Sequence, residues 1–136
     1  MFLIKEIAEK FDLKKDTIRY YDKIGLLKPS DRKQNGYRLY SISDFKKLSF
    51  ILKAKSIGLS LKAIKDLVNM YENPSSYSCK EVKEVASNEI SKLNQKINEL
   101  EQMKKKLIFL EKSCLNDSSR DASNCSILNN LKEKNL

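Results

Sequence analysis

The side chains with the most specific chemistry in this chain are three cysteines, Cys79, Cys114 and Cys125. The 136 residues include no histidine, and the cysteine count is odd in a chain whose start turns charged too early for a secretion signal. A disulfide framework is therefore not expected. Three thiolates favour soft ions such as Hg(II), Cd(II), Pb(II) and Cu(I), whereas Zn(II) would need water or a carboxylate as a fourth ligand. We predict a metal site, against the alternative that each thiol is an inert buried side chain.

A long stretch without glycine or proline lies between Cys79 and Cys114. Apolar residues recur there in steps of three and four, close to a heptad repeat. This apolar seam comprises Val82, Ala86, Ile90, Leu93, Ile97, Leu100, Met103, Leu107 and Leu110. One helix with a single narrow apolar stripe cannot bury that stripe alone. We predict that it pairs with a second copy of itself, and that part of its length docks on the N-terminal helices.

The length of this helix decides how the thiols can meet. A helix of about 33 residues is about 50 Å long, so Cys79 and Cys114 of one chain cannot share an ion if the helix is straight. An antiparallel pair would place Cys79 of the partner subunit beside Cys114, and the following loop would let Cys125 fold back. We predict a homodimer with one three-thiolate site at each end of the seam.

The positive charge of the chain is concentrated in its N-terminal half. The net charge is +9, and residues 1–70 contain 16 Lys and Arg against 8 Asp and Glu, whereas residues 71–136 contain 11 against 10. This asymmetry predicts a module that binds a polyanion, followed by a nearly neutral one. A solvated lysine-rich surface is the alternative.

The basic half is predicted to contain short helices and a hairpin. Apolar residues recur at helical spacing over residues 4–11, and the spacing resumes over residues 14–25 after a break at Asp12-Leu13. Two short helices around a tight turn predict a helix-turn-helix. Pro29 and Asn35-Gly36 are turn signals, and Asn-Gly favours a tight hairpin. We predict a small β-hairpin, a wing, over residues 28–40.

Two further helices are expected before the seam. Ser43-Asp44 is a plausible N-cap region for the first, which Gly58 ends, and Ser60 opens the second. The residues Asn73–Ser76 are typical of a linker. The predicted fold is therefore mainly α, with a winged helix-turn-helix followed by a long antiparallel coiled-coil helix. Its predicted segments are a DNA-binding domain (1–72), a linker and dimerisation helix (73–113), and a metal-binding loop with a short C-terminal helix (114–136).

Basic and hydroxyl side chains of the first module are candidate DNA contacts. Lysine and arginine neutralise phosphates, arginine reads guanine edges, and hydroxyls bind phosphate oxygens. The candidates are Lys14, Lys15, Thr17, Arg19 and Tyr20 near the second helix, Tyr37 and Arg38 in the wing, and Lys55. For Tyr20 and Tyr37 the alternative is simple packing. Core positions are predicted at Ile18, Tyr21, Leu26 and Leu27.

The ordered motifs Lys15–Leu27, Gly36–Tyr40 and Ile57–Ile64 resemble the MerR family of bacterial transcription regulators. The resemblance implies a winged helix-turn-helix, two more helices and a long dimerisation helix. The three cysteines resemble those of the mercury-sensing branch, in which all three coordinate the ion across the dimer. Asp22 stands where the family usually has Glu. The loop between Cys114 and Cys125 is longer than is usual in that branch.

The resemblance also implies a mode of action. A homodimer would bind double-stranded promoter DNA, hold RNA polymerase unproductively without metal, and activate transcription by distorting the DNA once Hg(II) binds. Cd(II), Pb(II) and Zn(II) are the alternative effectors. A metal-sequestering thiol protein and an architectural DNA-binding protein with incidental cysteines are the alternative functions.

Enzymatic and membrane functions are not expected. The chain contains no histidine, no glycine-rich phosphate loop and no recognisable pair of nucleophile and base. No apolar run approaches the roughly 20 residues that a membrane-spanning helix needs. We expect a cytoplasmic protein.

Overall fold

The computed structural model describes residues 1–114 and 121–132, and these residues are mainly helical. The elements in chain order are β1 (Phe2–Leu3), α1 (Ile4–Phe11), α2 (Lys15–Lys23), β2 (Asp31–Arg32), β3 (Arg38–Tyr40), α3 (Ile42–Ser56), α4 (Leu61–Glu72), a 3₁₀ turn (Pro74–Ser76), α5 (Cys79–Ser113), a second 3₁₀ turn (Ala122–Asn124) and α6 (Ser126–Leu131). The predicted winged helix-turn-helix and long helix are confirmed. Residues 115–120 of the predicted metal-binding loop lie outside the residues that the structure describes. Within the described ranges, no helix combines the length and apolarity that a membrane span requires.

The chain forms two compact units, Met1–Glu89 and Ile90–Leu136. The first unit contains the core, in which side chains of α1 to α4 and β3 pack together. Its fully buried large side chains are Ile7, Ile18, Leu26, Leu27, Tyr40, Leu48 and Ile51. The four positions predicted as core, Ile18, Tyr21, Leu26 and Leu27, are all buried, as their place on the inner side of the helix-turn-helix requires.

The turn between α1 and α2 stands where the sequence predicts a break. Asp12 adopts a left-handed conformation, with φ of 51°, and caps α1. The Leu13 N–H then donates to the carbonyl oxygen of Ala8 at 2.9 Å. The chain therefore reverses within a few residues, and α2 packs beside α1.

The wing is a three-stranded antiparallel sheet in the order β1-β3-β2. The sequence analysis missed β1, because two residues are too few to show an alternating pattern. The hairpin has a three-residue loop in which Gly36 takes the left-handed position, with φ of 85°, and Lys33 N–H donates to Tyr37 O. A two-residue Asn-Gly turn needs a positive φ at both residues, and Asn35 does not have one. The hairpin is therefore where the sequence predicts it, but its turn is of a different type.

Helix α3 begins two residues earlier than predicted, so the assignment of Ser43 to the N-cap is wrong. Ser41 is the N-cap: its Oγ accepts from Asp44 N–H at 3.1 Å, and Asp44 Oδ2 accepts from Ser41 N–H at 2.8 Å. The same carboxylate oxygen accepts from Ser30 N–H and from Ser30 Oγ. The box satisfies free N–H groups at the helix start and fastens the wing to α3.

Helix α4 begins after Ser60, as predicted, with Ser60 Oγ accepting from Ala63 N–H at 3.2 Å. The Ser60 hydroxyl also donates to the carboxylate of Glu89 in α5. Ser78 and Glu81 form the same reciprocal pair of hydrogen bonds at the start of α5. The beginning of the long helix is therefore capped and held against α4 within the first unit.

Replacing Ser41 by Ala is expected to lower the free energy of unfolding by about 1 kcal/mol, because it removes the N-cap acceptor of α3. Ser43→Ala removes a hydroxyl two residues away on the exposed side of the same turn, and is expected to change stability by less than about 0.5 kcal/mol. Urea unfolding of both variants at one protein concentration measures the difference. Equal effects would contradict the assignment of the cap.

Candidate functional site

Helix α2 presents one face to solvent and buries the other. Ile18 and Tyr21 anchor the buried face, whereas Lys15, Arg19 and Tyr20 are exposed. The Tyr20 side chain is 50% exposed, so packing does not account for it. Arg19 is held in place by an ion pair, with Nη1 at 2.8 Å from Asp16 Oδ1. The structure thus places three of the predicted DNA contacts on one accessible surface.

The remaining candidates near α2 flank this exposed face. Lys14 is the N-cap residue of α2 and is exposed, and Thr17 is half-buried in the first turn. Lys55 lies in the last turn of α3, with Nζ 3.5 Å from the hydroxyl of Tyr21 and 6.0 Å from the centre of its ring. Its charge is therefore held beside α2, as an extension of the same basic surface.

The wing candidates differ from each other. Tyr37 is 63% exposed and lies next to the hairpin loop. Arg38 is partly buried, and its Nε donates to Asp22 Oδ2 at 2.8 Å. Arg32, which the sequence analysis did not single out, donates from Nη2 to the same oxygen at 3.0 Å. Residues far apart in sequence meet here, and no local pattern in the sequence signals such a cluster.

Two of the three cysteines flank the segment between α5 and α6. Cys114 directly follows α5, and Cys125 directly precedes α6. Backbone N–H groups of Leu128 and Ile127 at the start of α6 lower the pKa of the Cys125 thiol, and the Cys114 thiol adds a smaller effect in the same direction. These contacts favour the thiolate, which is the form that binds metal ions.

Cys79 is the first residue of α5, exposed at the edge of an apolar groove in the first unit. The groove has a volume of about 330 Å³ and is lined by Phe50, Leu67, Tyr71, Tyr77 and Val82 among others. In the described residues, no cluster of three or more cysteine or carboxylate side chains is arranged to hold a metal ion. The three-thiolate site of the sequence analysis is therefore not assembled by the described residues of one chain.

Among the described residues, the seam of α5 stays exposed along most of its length. None of the 35 residues of α5 is buried. Six consecutive seam side chains are between 53% and 63% exposed: Ile90, Leu93, Ile97, Leu100, Met103 and Leu107. Val82, where the seam begins, lines the apolar groove of the first unit and is 39% exposed. A continuous apolar stripe of this kind is typical of an interface between helices.

Known proteins are similar to this chain in sequence and in fold. Residues 2–71 match the family described as MerR HTH family regulatory protein, and residues 45–110 match the family described as MerR, DNA binding. A probable heavy metal-dependent transcriptional regulator of Haemophilus influenzae is 40% identical over 94% of this chain and 97% of its own length. The HTH-type transcriptional regulator ZntR of Escherichia coli K12 is 32% identical over 98% and 94%. The crystal structure of PbrR691 from Ralstonia metallidurans CH34 in complex with lead(II) matches with a TM-score of 0.85 at 32% identity, over 96% of this chain and 99% of that one.

The lowered pKa of Cys125 predicts alkylation at lower pH in the folded protein. In the variant Cys79→Ser/Cys114→Ser, Cys125 is the remaining thiol and keeps the backbone N–H groups that lower its pKa most. The rate of alkylation by iodoacetamide should therefore rise at lower pH in the folded variant than in the same variant unfolded in urea. Coincident pH profiles would show that the α6 backbone does not stabilise the thiolate.

Proposed function

The chain belongs to the MerR family of transcriptional regulators and is similar to metal-responsive members of it, and we propose that it binds promoter DNA as a homodimer and senses a thiophilic ion through Cys79, Cys114 and Cys125. The family consists of regulators and not of enzymes, as the sequence analysis expects. The observation that carries the proposal is a long helix with an exposed apolar seam that begins with Cys79 and is followed directly by Cys114.

The basic surface around α2 supports the DNA-binding role. Lys15, Arg19 and Tyr20 project from a helix whose opposite face is fixed in the core, and Lys14, Thr17 and Lys55 flank them. In a helix-turn-helix protein the second helix enters the major groove. We propose that the wing, with the exposed Tyr37 next to its loop, contacts the flanking DNA backbone. We propose these residues, together with Arg38, as the DNA-binding set.

The exposed seam supports a dimer. Leaving six large apolar side chains more than half exposed is unfavourable in water, and burying them against a second seam removes that cost. Two identical half-sites of a promoter then match the two-fold symmetry of the dimer. An antiparallel arrangement is proposed because it also brings different cysteines together.

The metal site is proposed to combine both subunits. Cys114 and Cys125 supply two thiols of each set. Helix α5 begins with Cys79 and ends at Ser113, directly before Cys114, so different cysteines lie at its two ends. In an antiparallel pair, Cys79 of the partner subunit completes each set. Three sulfur donors without histidine fit a soft ion. The bound ion would supply a cross-link between thiolates of the two subunits.

Hg(II) is the effector that the sequence resemblance favours, and it stays a prediction. The lead(II) complex of PbrR691 supports Pb(II) to the same degree. The chemistry that Hg(II), Pb(II) and Cd(II) share is affinity for thiolate, which the three cysteines provide. Repression without metal, activation by DNA distortion, contact with RNA polymerase and a cytoplasmic location likewise remain proposals.

For metal binding to change the shape of the bound DNA, the ion must bind one conformation of the protein more tightly than the other. A ligand shifts a conformational equilibrium only by as much as it prefers one conformation. By elastic estimates, bending a promoter site costs on the order of 1–6 kcal/mol. Thiolates contributed by both subunits hold the two chains in one arrangement, and this provides the required preference.

Arg19→Ala is expected to weaken DNA binding by about 1–3 kcal/mol, because it removes a charge from the exposed face of α2. The probe is a duplex enriched from a random-sequence library by the unaltered protein, here called the selected duplex. Lys96→Ala removes the same charge from α5 and serves as the control, with no comparable loss expected. Unchanged affinity for Arg19→Ala would remove this residue from the contact set.

Replacing any one cysteine by Ser is expected to abolish the metal response and leave apo DNA binding within about twofold. Hg(II), Pb(II), Cd(II), Zn(II) and Cu(I) are titrated separately in excess small thiol. The response is measured as thiolate-to-metal absorption in the ultraviolet and as a change in bend of the selected duplex, from energy transfer between dyes at its ends.

These titrations separate the alternatives. A full response in any one of the three Cys→Ser variants would contradict the three-ligand site. A site that saturates first with Pb(II) or Cd(II) would keep the architecture and reject Hg(II) as the effector. Tight metal binding without any effect on DNA would favour a metal-sequestering protein, and DNA binding that ignores every ion would favour an architectural one.

A further inference from the structure

Asp22 is an acidic residue in an unfavourable place. It lies in the last turn of α2, where the partial negative charge of the helix end disfavours a carboxylate. It also belongs to a half of the chain that carries twice as many basic as acidic residues. Its side chain is only 13% exposed, so solvent offers it little compensation. Some specific interaction must therefore hold it there.

That interaction is with both strands of the wing hairpin. Asp22 Oδ2 accepts from Arg32 Nη2 at 3.0 Å and from Arg38 Nε at 2.8 Å. Arg32 belongs to β2 and Arg38 to β3, so a single carboxylate oxygen of α2 contacts each strand. Arg32 also donates from Nη1 to the carbonyl oxygen of Gly36, which extends the network to the hairpin loop.

The sheet register shows why the wing needs this carboxylate. Arg32 and Arg38 lie directly opposite each other in the β2–β3 pair. Like charges in opposite positions destabilise an antiparallel pair, and β2 is only two residues long. A shared carboxylate offsets the repulsion and ties the pair to α2. The Ser30–Asp44 hydrogen bonds and the β1–β3 pairing hold the base of the hairpin, and the Asp22 carboxylate ties both of its strands to α2.

We propose that Asp22 is a positioning residue for DNA binding, which sets the wing at a fixed position relative to α2 by holding Arg32 and Arg38 together. This inference rests on the proposed DNA-binding function. Asp22 itself contacts no DNA in this account. Its role is to keep Lys33 and Tyr37 of the wing at a constant distance from the exposed face of α2.

The affinity for the selected duplex should change in opposite directions on loss of the Asp22 charge, depending on whether Asp22 acts only through its charge or by holding the wing. Removing a negative charge from a basic surface strengthens attraction to phosphates, irrespective of sequence. Releasing the wing removes contacts that depend on its position. Asp22→Asn is therefore expected to bind the selected duplex roughly tenfold or more weakly. A scrambled duplex of the same composition should be bound as well as before, or more tightly.

Asp66→Asn is the control. It makes the same charge change in the first unit, on an exposed side chain of α4 that lies outside both α2 and the wing. Both duplexes should be bound with unchanged or higher affinity. The salt dependence gives a second readout. For the selected duplex, the plot of log affinity against log salt concentration should become less steep by about 1 in Asp22→Asn, as expected for a lost phosphate contact, and not in Asp66→Asn.

Two further variants keep the test decisive if Asp22→Asn folds poorly, which thermal unfolding would reveal. Arg32→Lys preserves the net charge at a residue outside the proposed DNA-binding set, but it lacks the planar guanidinium that bonds Asp22 and Gly36 O together, so it should weaken binding to the selected duplex alone. Asp22→Glu keeps the carboxylate and should restore most of the affinity.

The outcomes distinguish this inference from the function on which it rests. Tighter binding of both duplexes by Asp22→Asn, or wild-type affinity of a folded Arg32→Lys variant, would overturn the positioning role. If the unaltered protein enriches no duplex from the library, the DNA-binding function itself fails.

Discussion

The unburied apolar seam of α5 is the constraint on which the rest of this protein depends. A helix of 35 residues that buries none of them cannot be stable in water by local propensity alone, and it requires a second apolar surface along its length. A second copy would provide that surface with matching spacing. The proposed dimer, and with it the pairing of promoter half-sites and the proposed sharing of thiols between subunits, rests on this one requirement.

The first unit uses charge for two different purposes. Most of its basic side chains are exposed and are available to a polyanion, as Lys15 and Arg19 are on α2. Arg32 and Arg38 also form ion pairs with Asp22 that hold the wing. The positive charge of the module therefore does not translate directly into DNA contacts, because part of it holds the binding surface in shape.

The thiols show a similar division of roles. Backbone N–H groups of α6 lower the pKa of the Cys125 thiol and so favour its thiolate. Cys79 instead lies at an apolar groove of the first unit. In the proposed site, Cys79 of the partner subunit would link the bound ion to the unit that carries α2 and the wing.

The sequence by itself determined the helix-turn-helix, the position of the hairpin and the long helix with its seam. These features follow from local signals: helical spacing of apolar residues, the turn residue Gly36, the cap Ser60 and a stretch without glycine or proline. The tertiary structure decided which capping box starts α3, because Ser41, Asp44 and Ser30 meet only after the wing folds back. It also decided that β1 pairs with β3 and that one carboxylate holds two opposed arginines. Such contacts join residues distant along the chain, and their energies depend on the distances and burial that only the folded chain establishes.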